Sequence, residues 1–388
     1  MSPPCQSFLP PERIRQMESF YPLHVFACER CFLVQLEVFV APDDIFTDYA
    51  YYSAYSTSWV NHARDYVEMM TERLKLGPDD LVVELASNDG YLLQHFVGSG
   101  IPILGIDPAA NVAEDAEARG VPTLVAFFGR ETAQRLADAG KRGSLVIGNN
   151  VLAQVPDLND FVGGVSILLR DEGTATFEFP HLLHLLDRLE YDTIYHEHFS
   201  YFSFATIVEI VQAHELDVYD VEELGTHGGS LRVYVQHVNG PHETNDAVPE
   251  LLTREGDEGL RSPERYARFA DEVKESKRAL LDLLIRLRRE GKQVVGYGAP
   301  GKGNTLLNYC GIRTDLLDYT VDRNPHRQGF YTPGTHIPIY PPEKIEETRP
   351  DYIVVLPWNL IDEISEQLEY VREWGAKLVL PIPYATVL

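Results

Sequence analysis

The sequence predicts an α/β protein with a doubly wound, mostly parallel sheet, a second and smaller α/β domain, and a small N-terminal knuckle. From about residue 81, short apolar runs with turn signals alternate with helical patterns, which is typical of a parallel sheet with helices on both faces. A similar alternation returns near residue 292, after a polar stretch at 238–262 that is typical of a linker. We expect domains at 1–52, 53–245 and 246–388.

The strands of the larger domain are predicted in chain order. The runs "LVVELA", "IPILGID", "PTLVA", "SLVIGNN" and "TATFEFP" predict buried parallel strands, and "LDVYDVEELG" and "SLRVYVQHV" alternate more, which predicts antiparallel strands near an edge. A long helix is expected after residue 262. Its apolar face comprises Tyr266, Phe269, Val273, Leu280, Leu284 and Leu287.

Composition limits the class of protein. The chain has 388 residues, which is too long for one ordinary core, and its net charge of -26 argues against nucleic acid as a partner. No apolar run approaches a membrane span, and the opening residues lack a signal layout, so we expect a cytoplasmic monomer or homodimer. Four cysteines give no disulfide framework at this length.

The first strand–loop–helix unit, "VVELASNDGYLLQHF", predicts a ligand site, because ligands of such sheets bind at the carboxyl ends of the strands. Acids at two strand ends suit a ribose, and the amides after "SLVIG" suit an adenine or a methionine moiety. The loop has one glycine where a dinucleotide fold has three, which favours a ligand without phosphate, such as S-adenosylmethionine. Helix capping by the acids is the structural alternative. The residues expected at the site are Glu84, Ala86, Asn88, Gly90, Asp107, Pro108, Asn149 and Asn150.

A second glycine-rich loop, "GYGAPG" at 296–301, follows a predicted strand. The motif alone indicates NAD or FAD, with Asp322 at the end of the next strand. It also nearly matches a nucleotide-hydrolase loop, but Gly303 replaces the required Ser or Thr. All these interpretations share a helix N-terminus that binds a pyrophosphate, with Lys302 adding positive charge. The alternative is a related unit that binds nothing.

Two further motifs carry chemistry. In "YHEHFSYFS", two histidines on one face of a strand suit a metal, although Glu197 then points to the opposite face. Hydrogen-bonded structural histidines and acid–base chemistry are the other interpretations, and histidine titrates nearest neutral pH. In "THGGSLRVY", the glycine nest near Arg232 suits an anion, or is a bulged turn between strands.

Taken together, these motifs resemble one family. The first domain resembles class I S-adenosylmethionine-dependent methyltransferases with a Rossmann-like sheet. The whole chain is similar to bacterial C-methyltransferases that act on dTDP-linked 4-keto-deoxysugars, with a second Rossmann-like domain at the C-terminus. The resemblance rests on "YPLHVFACERCFLVQL", "VVELASNDGYLLQ", "NNVLAQVPDLNDFV", "YHEHFSYFS", "THGGSLRVY" and "GYGAPGKGNTLLNYCGI", which cover most of the chain in the family's order.

The resemblance implies methyl transfer to carbon three of the sugar, next to the ketone. His198 would be the general base, with Tyr195 and Glu197 in support and Tyr49 lining the same cavity. Tyr195 would donate to the enolate oxygen. The C-terminal domain would hold the dTDP-sugar through Lys302, Asn304 and Arg323. Where the family often has histidine, this chain has Gln154, whose neutral amide cannot act as a base.

The family's zinc knuckle is half present. The resemblance implies two Cys-x-x-Cys pairs, whereas here only Cys28 and Cys31 form one, Cys5 stands alone, and Cys310 lies far away. A structural zinc needs four ligands, so a site would require His24 or another group. We expect that the natural chain begins upstream and includes the missing pair.

Three other functions stay open on sequence alone. Methylation at carbon five uses the same chemistry with a different sugar orientation. An NAD-dependent oxidoreductase would be built on residues 292–388, and a non-catalytic protein would bind the nucleotide sugar without reaction.

Overall fold

A computed structural model describes residues 1–41, 47 and 52–388, which form two compact units. The central unit consists of residues 30–181 and 199–260. The C-terminal unit is assembled from three segments, residues 1–29, 182–198 and 261–388. The "YHEH" motif therefore folds with the C-terminal segment and with the first residues of the chain, although it is flanked in sequence by the central unit.

The central unit is built on a seven-stranded sheet in the order β5-β4-β3-β6-β7-β10-β9. Strands β3 to β7 are parallel, and β10 runs antiparallel to both of its neighbours. A separate short pair is formed by β2 (Val34–Leu36) and β8 (Ser200–Tyr201). The strands of the large sheet are β3 (Val82–Leu85), β4 (Ile103–Asp107), β5 (Thr123–Val125), β6 (Gly143–Asn149), β7 (Leu169–Pro180), β9 (Leu216–Leu224) and β10 (Ser230–His237).

Helices cover both faces of this sheet. Alternate residues of β3 enter different apolar clusters: Val82 packs with α1 and Val83 packs with α4 and α6. This alternation is the consequence of the two-residue period of a strand. The helices are α1 (Thr57–Leu74), α2 (Ala110–Ala118), α3 (Arg130–Asp138), α4 (Leu158–Leu168), α6 (Phe204–Gln212) and α7 (Ala247–Asp257).

The C-terminal unit has its own sheet, in the order β13-β12-β11-β14-β15-β16, which is parallel except for the last strand. The same alternation recurs, because Val294 and Val295 of β11 enter different clusters. The strands are β1 (Val25–Ala27), outside that sheet, and β11 (Val294–Tyr297), β12 (Thr320–Val321), β13 (Ile339–Tyr340), β14 (Tyr352–Val355), β15 (Lys377–Leu380) and β16 (Thr386–Val387). The helices are α5 (Leu182–Asp187), α8 (Pro263–Arg289), α9 (Gly301–Cys310), α10 (Lys344–Thr348) and α11 (Ile361–Gln367).

Three sequence predictions are confirmed: the doubly wound sheets, the antiparallel pair β9 and β10, and the long helix α8. The linker prediction for 238–262 is wrong over α7. That helix buries Val248 and Leu251, and its carboxylate Glu255 accepts hydrogen bonds from the N–H groups of Phe204 and Ala205 at the start of α6. Among the described residues, no helix is both long and apolar enough to cross a membrane.

Candidate active site

The loop after β3 has a strained backbone at the carboxyl end of the strand. Ala86 and Asn88 adopt left-handed φ values of 56° and 49°, which L-residues rarely adopt and which cost of order 1 kcal/mol each. Gly90 has a φ of 76°, and a Cβ there would lie 3.2 Å from the Cα of Ala116 in α2. A side chain at Gly90 would therefore be strained and would crowd α2.

Polar atoms without partners accumulate at the carboxyl ends of β3 and β6. Among the described residues, no hydrogen-bond partner is found for Glu84 Oε2, Ser87 Oγ, Asp89 Oδ1, Asn149 Oδ1 or Asn150 Nδ2. A buried polar atom without a partner costs about 1–3 kcal/mol, so a group of five at one sheet edge indicates a polar ligand. The sequence predicted this edge, and the structure brings Glu84, Asn149 and Asn150 to it.

Asp107 ends β4 beside the same loop. Its Oδ2 accepts the N–H of Asn88 at 2.9 Å and its Oδ1 accepts the N–H of Ala109 at 2.9 Å, so the carboxylate fixes the loop while each oxygen keeps a second lone pair. Burial raises the pKa of Asp107, and the two backbone donors oppose that rise. Burial, then the neighbouring Asp107 and Asp89, raise the pKa of Glu84 well above its ordinary value. Pro108 lies in the loop between β4 and α2, where it is partly buried.

Arg232, a predicted anion ligand, is instead held in an internal ion cluster. Its Nη2 lies 3.0 Å from Glu178 Oε2 and its Nη1 lies 3.2 Å from Glu222 Oε2, and only 4% of the residue is exposed. Glu178, at the end of β7, also contacts His62 of α1 at 2.9 Å. Burial raises the pKa of Glu178, but His62 and Arg232 together outweigh this effect. The net pKa is lower than the ordinary value, so the carboxylate stays charged.

The motif Tyr195–His198 forms a turn and not the strand on which the metal interpretation depended. The His198 N–H donates to the Tyr195 carbonyl at 2.9 Å, and the Tyr195 hydroxyl lies 3.1 Å from His198 Nε2. The two rings are 4.3 Å apart between centroids, and both side chains are partly exposed. A titratable imidazole paired with a phenol, both reachable by a small molecule, is suited to proton transfer.

The neighbouring residues of the turn are held by the N-terminal segment. His196 is buried, its Nε2 lies 3.0 Å from the carbonyl oxygen of Pro22, and burial lowers the pKa of its imidazole. Glu197 is buried and its Oε1 accepts the Cys5 thiol at 3.4 Å. Burial, then the Glu197 charge, raise the pKa of Cys5 well above its ordinary value, so Cys5 is a neutral thiol donor. His196 is therefore structural, whereas His198 is accessible.

The glycine-rich loop "GYGAPG" joins β11 to α9 as predicted, but its surroundings are already occupied. Asp322 accepts the Ala299 N–H at 2.7 Å. A Cβ at Gly301 would lie 2.9 Å from both Cys5 Sγ and Gln6 Nε2, so the N-terminal segment covers the start of α9. Asn304 is 1% exposed and its Nδ2 donates to the Cys5 carbonyl at 2.8 Å. The loop therefore fits a packed chain segment closely.

The remaining predicted residues have no recorded hydrogen bond to Cys5 or Gln6 among the described residues. Lys302 packs over Trp358 with Nζ 4.1 Å from the ring centroid, whereas Arg323 is exposed and 3.6 Å from Glu363. Gln154 ends a 3₁₀ turn after β6, and Tyr49 lies outside the described residues.

Cys28 follows β1 and Cys31 precedes β2, and both are partly exposed. Among the residues that the structure describes, no cluster of three His, Cys, Asp or Glu ligands includes either thiol, so the donor set does not make a four-ligand zinc site.

Comparison with known proteins decides the family. Three family models match in chain order: a putative zinc binding domain at 1–46, a methyltransferase domain at 60–221, and a C-methyltransferase C-terminal domain at 225–383. The C-methyltransferase NovU of Streptomyces niveus is 37% identical over 371 residues, which covers 96% of this chain and 88% of NovU. This chain belongs to the C-methyltransferase family. The prediction of family membership is therefore confirmed.

Solved structures resemble part of this C-methyltransferase. An S-adenosylmethionine-dependent methyltransferase from Clostridium acetobutylicum is 13% identical, with a TM-score of 0.38, over 47% of this chain and 92% of that one. The magnesium protoporphyrin IX methyltransferase from Synechocystis with bound S-adenosylmethionine is 15% identical, with a TM-score of 0.34, over 46% of this chain and 80% of that one. These likenesses are too partial to bear on the reaction.

The cofactor of this C-methyltransferase is S-adenosylmethionine. Its ribose hydroxyls and amino group can donate to the unpartnered oxygens of Glu84, Asp89 and Asn149, and Asn150 Nδ2 is a donor that suits its carboxylate. Two residues that were missed had a local signal: Glu178 is the one acid in the apolar run "TATFEFP", and Asp192 lies within "YDTIYHEH". His62 and Trp358 had no such signal, because their hydrogen-bond partners Glu178 and Asp192 are more than 100 residues away.

Proposed function

We propose that this C-methyltransferase methylates carbon three of a dTDP-linked 4-keto-deoxysugar, next to the ketone. The observation that carries the proposal is the accessible Tyr195–His198 pair, because a carbon beside a ketone must lose a proton before it can accept a methyl group. Family membership supports the proposal, since the chain shares 37% of its residues with NovU.

In the proposed reaction, His198 accepts the proton from the carbon beside the ketone, and the electron pair of that C–H bond forms the enolate. Tyr195 donates to the enolate oxygen. In the tautomer with its hydrogen on Nε2, His198 donates to the Tyr195 oxygen across 3.1 Å and accepts the substrate proton at Nδ1, which leaves the phenol hydrogen for the enolate. Bound S-adenosylmethionine supplies the electrophilic methyl group. Each of the two side chains contributes on the order of 10²- to 10⁴-fold to the rate.

Glu197 and Tyr49 are proposed as supporting residues of the same reaction. Glu197 is the buried neighbour of His198 and is held by Cys5, which suits a residue that fixes the turn. For the cofactor we propose Glu84, Asp107, Asn149 and Asn150 as direct contacts. The loop Ala86–Asn88–Gly90 and Pro108 would shape the walls of that site.

The nucleotide part of the sugar would bind to the C-terminal unit. In this proposal Lys302 and Asn304 do not contact the nucleotide. Both side chains are already committed: Asn304 to the Cys5 carbonyl and Lys302 to Trp358 and Asn359. Arg323 is the exposed cation among the proposed ligands, and Arg232 is neutralised by two glutamates. The same packing at Gly301 opposes the oxidoreductase alternative, because the cradle for an NAD pyrophosphate is filled by Cys5 and Gln6.

The test is turnover of a dTDP-4-keto-deoxysugar with S-adenosylmethionine, with the product identified by NMR. We expect a new methyl carbon bonded to carbon three; a methyl at carbon five supports the alternative orientation, and turnover with NAD supports the oxidoreductase. His198→Asn is expected to bind S-adenosylmethionine with unchanged affinity and to lose most turnover. Full turnover by that variant would remove His198 from the proposed role.

A further inference from the structure

A buried charged cluster lies beneath the turn that leads into Tyr195 and His198. Asp192 is fully buried, and its Oδ2 accepts the indole N–H of Trp358 at 2.8 Å. Lys302 lies over the same indole, with Nζ 4.1 Å from the ring centroid, and it donates to Asn359 Oδ1. Glu190 is 2% exposed and completes the cluster.

The charges of the cluster interact. Burial raises the pKa of Glu190 to about 7 and the pKa of Asp192 to about 6, while the charge of Lys302 lowers both. Burial lowers the pKa of Lys302, and the two acids oppose that effect. Lys302 is partly buried and its charge is felt by both carboxyl groups, which are themselves buried.

Such a cluster is a poor device for stability alone. Two of its atoms, Glu190 Oε1 and Asp192 Oδ1, have no hydrogen-bond partner among the described residues. Buried ionic groups with incomplete bonding are often less stable than apolar residues of the same volume. This arrangement therefore suits a role other than core stability.

The chain between the cluster and the catalytic pair is short, and Tyr191 and Ile194 pack it against the apolar core of the C-terminal unit. Residues 191–193 form a single 3₁₀ turn, Thr193 Oγ1 donates to the Glu190 carbonyl at 2.7 Å, and the backbone then passes directly into the Tyr195–His198 turn. Such short turns are not held by a ladder of hydrogen bonds, so side-chain anchors fix their orientation. Asp192 is the nearest buried polar side chain on the N-terminal side of Tyr195, and His196 and Glu197 hold the turn on the other side.

We propose that Lys302 and Trp358 are positioning residues for the methyl transfer: they hold Asp192, and through it the turn that carries Tyr195 and His198. This inference rests on the proposed function of His198. In this assignment Lys302, which follows the glycine-rich loop, supports other residues of the protein and does not bind a phosphate group. Neither residue touches the reacting atoms in this assignment, so its loss lowers the rate and leaves the cofactor bound.

Trp358→Phe is the main test, because it keeps the ring under Lys302 and removes the N–H that Asp192 accepts. We expect kcat to fall roughly 10- to 100-fold, as is common when an outer hydrogen bond of a site is lost, with unchanged S-adenosylmethionine affinity and a KM for the sugar within about threefold. Trp374→Phe is the matched control. Its indole N–H donates to the Pro350 carbonyl at 3.1 Å in the same unit, away from the turn, and kcat should stay within about twofold.

Equal kcat values for Trp358→Phe and Trp374→Phe would overturn the inference. Lys302→Met is the second variant should Trp358→Phe not fold: we expect the same loss of kcat with the cofactor still bound, and a wild-type rate would overturn the inference. His198→Asn separates the two proposals. If that variant keeps full turnover, the proposed function fails; if it is inactive while Trp358→Phe and Lys302→Met are fully active, only the positioning role fails.

Discussion

The hydroxyl of Tyr195 lies 3.1 Å from Nε2 of His198, across a turn whose other side chains are buried and held by the N-terminal segment. This hydrogen bond joins the imidazole to the phenol, and the contacts of His196 and Glu197 hold the backbone that carries both rings. The reactivity of the protein is therefore assigned to two side chains that are only three residues apart.

Tyr195→Phe tests the donor to the enolate oxygen. The ring remains, so packing against His198 is kept, but the hydroxyl is lost. We expect kcat to fall by about 10²-fold, since removing one preformed donor to a developing oxyanion has effects of that size. Steady-state kinetics and calorimetric titration with S-adenosylmethionine check this. Tyr340→Phe, an exposed tyrosine of β13, is the control, and a loss of equal size there would contradict the assignment.

Asp107→Asn tests the cofactor edge. The carboxylate accepts two backbone N–H groups, and an amide can accept only through its oxygen, so one donor of the loop is left facing an NH₂ group. Hydrogen bonds to charged groups contribute about 1.5–3 kcal/mol, so we expect S-adenosylmethionine affinity to fall roughly 10- to 100-fold. Asp65→Asn removes an exposed carboxylate of the same unit, and its affinity should match the wild type. Unchanged affinity for Asp107→Asn would place the cofactor elsewhere.

Gly90→Ala tests the close approach of the loop to α2. The new Cβ would lie 3.2 Å from the Ala116 Cα at a φ of 76°, so both strain and contact oppose it. Gly98→Ala is a matched control, since Gly98 also has a positive φ, of 83°, but open space around the Cβ position. We expect about 1–2 kcal/mol of lost stability for the control and more for Gly90→Ala. Chemical denaturation measures both, and equal losses would show that the contact with α2 is unimportant.

Glu190→Gln tests the buried acid through pH. Burial raises the pKa of Glu190 from 4.5 to about 7, so the folded protein holds a proton that the unfolded chain releases. The stability linked to this proton is full below pH 4.5 and is lost as the pH rises through 7. The variant lacks this loss. We expect the free energy of unfolding of the variant to rise relative to that of the wild type by on the order of 2 kcal/mol between pH 4.5 and 8.

Free energies of unfolding at pH 5 and pH 8 provide the comparison for Glu190→Gln. Glu369→Gln changes an exposed glutamate of the same unit and should track the wild type at both values. If Glu190→Gln and the wild type show parallel pH dependence, Glu190 is not a buried acid in solution.

The sheets and the ligand edge were predictable because they depend on local patterns. Apolar runs of four to seven residues marked β3, β6 and β11, and acids at strand ends marked Glu84 and Asp107. The helix α7 was missed because its buried face has few apolar residues and relies on Glu255, whose partners are about 50 residues away. An alternating His-Glu-His pattern resembles a strand, although here it forms a turn.

The surroundings of His198 were not predictable from local sequence. Cys5 bonds Glu197 across 192 positions of the chain, and Trp358 bonds Asp192 across 166. Contacts at such separations are decided by the packing of whole units. The same packing explains why the glycine-rich loop, with the pattern of a nucleotide cradle, lies against Cys5 and Gln6. A motif specifies a backbone shape, and the neighbours of that shape decide what it holds.

Hydrogen exchange at the sugar carbon tests the central claim most directly. The protein is incubated with a dTDP-4-keto-deoxysugar in D₂O together with S-adenosylhomocysteine, so that deprotonation is observed without methyl transfer. We predict that the wild type places deuterium at carbon three and that His198→Asn does so at least about 10²-fold more slowly, with S-adenosylhomocysteine still bound. Equal exchange by the two proteins would contradict the account, because the proton would then leave through a group other than His198.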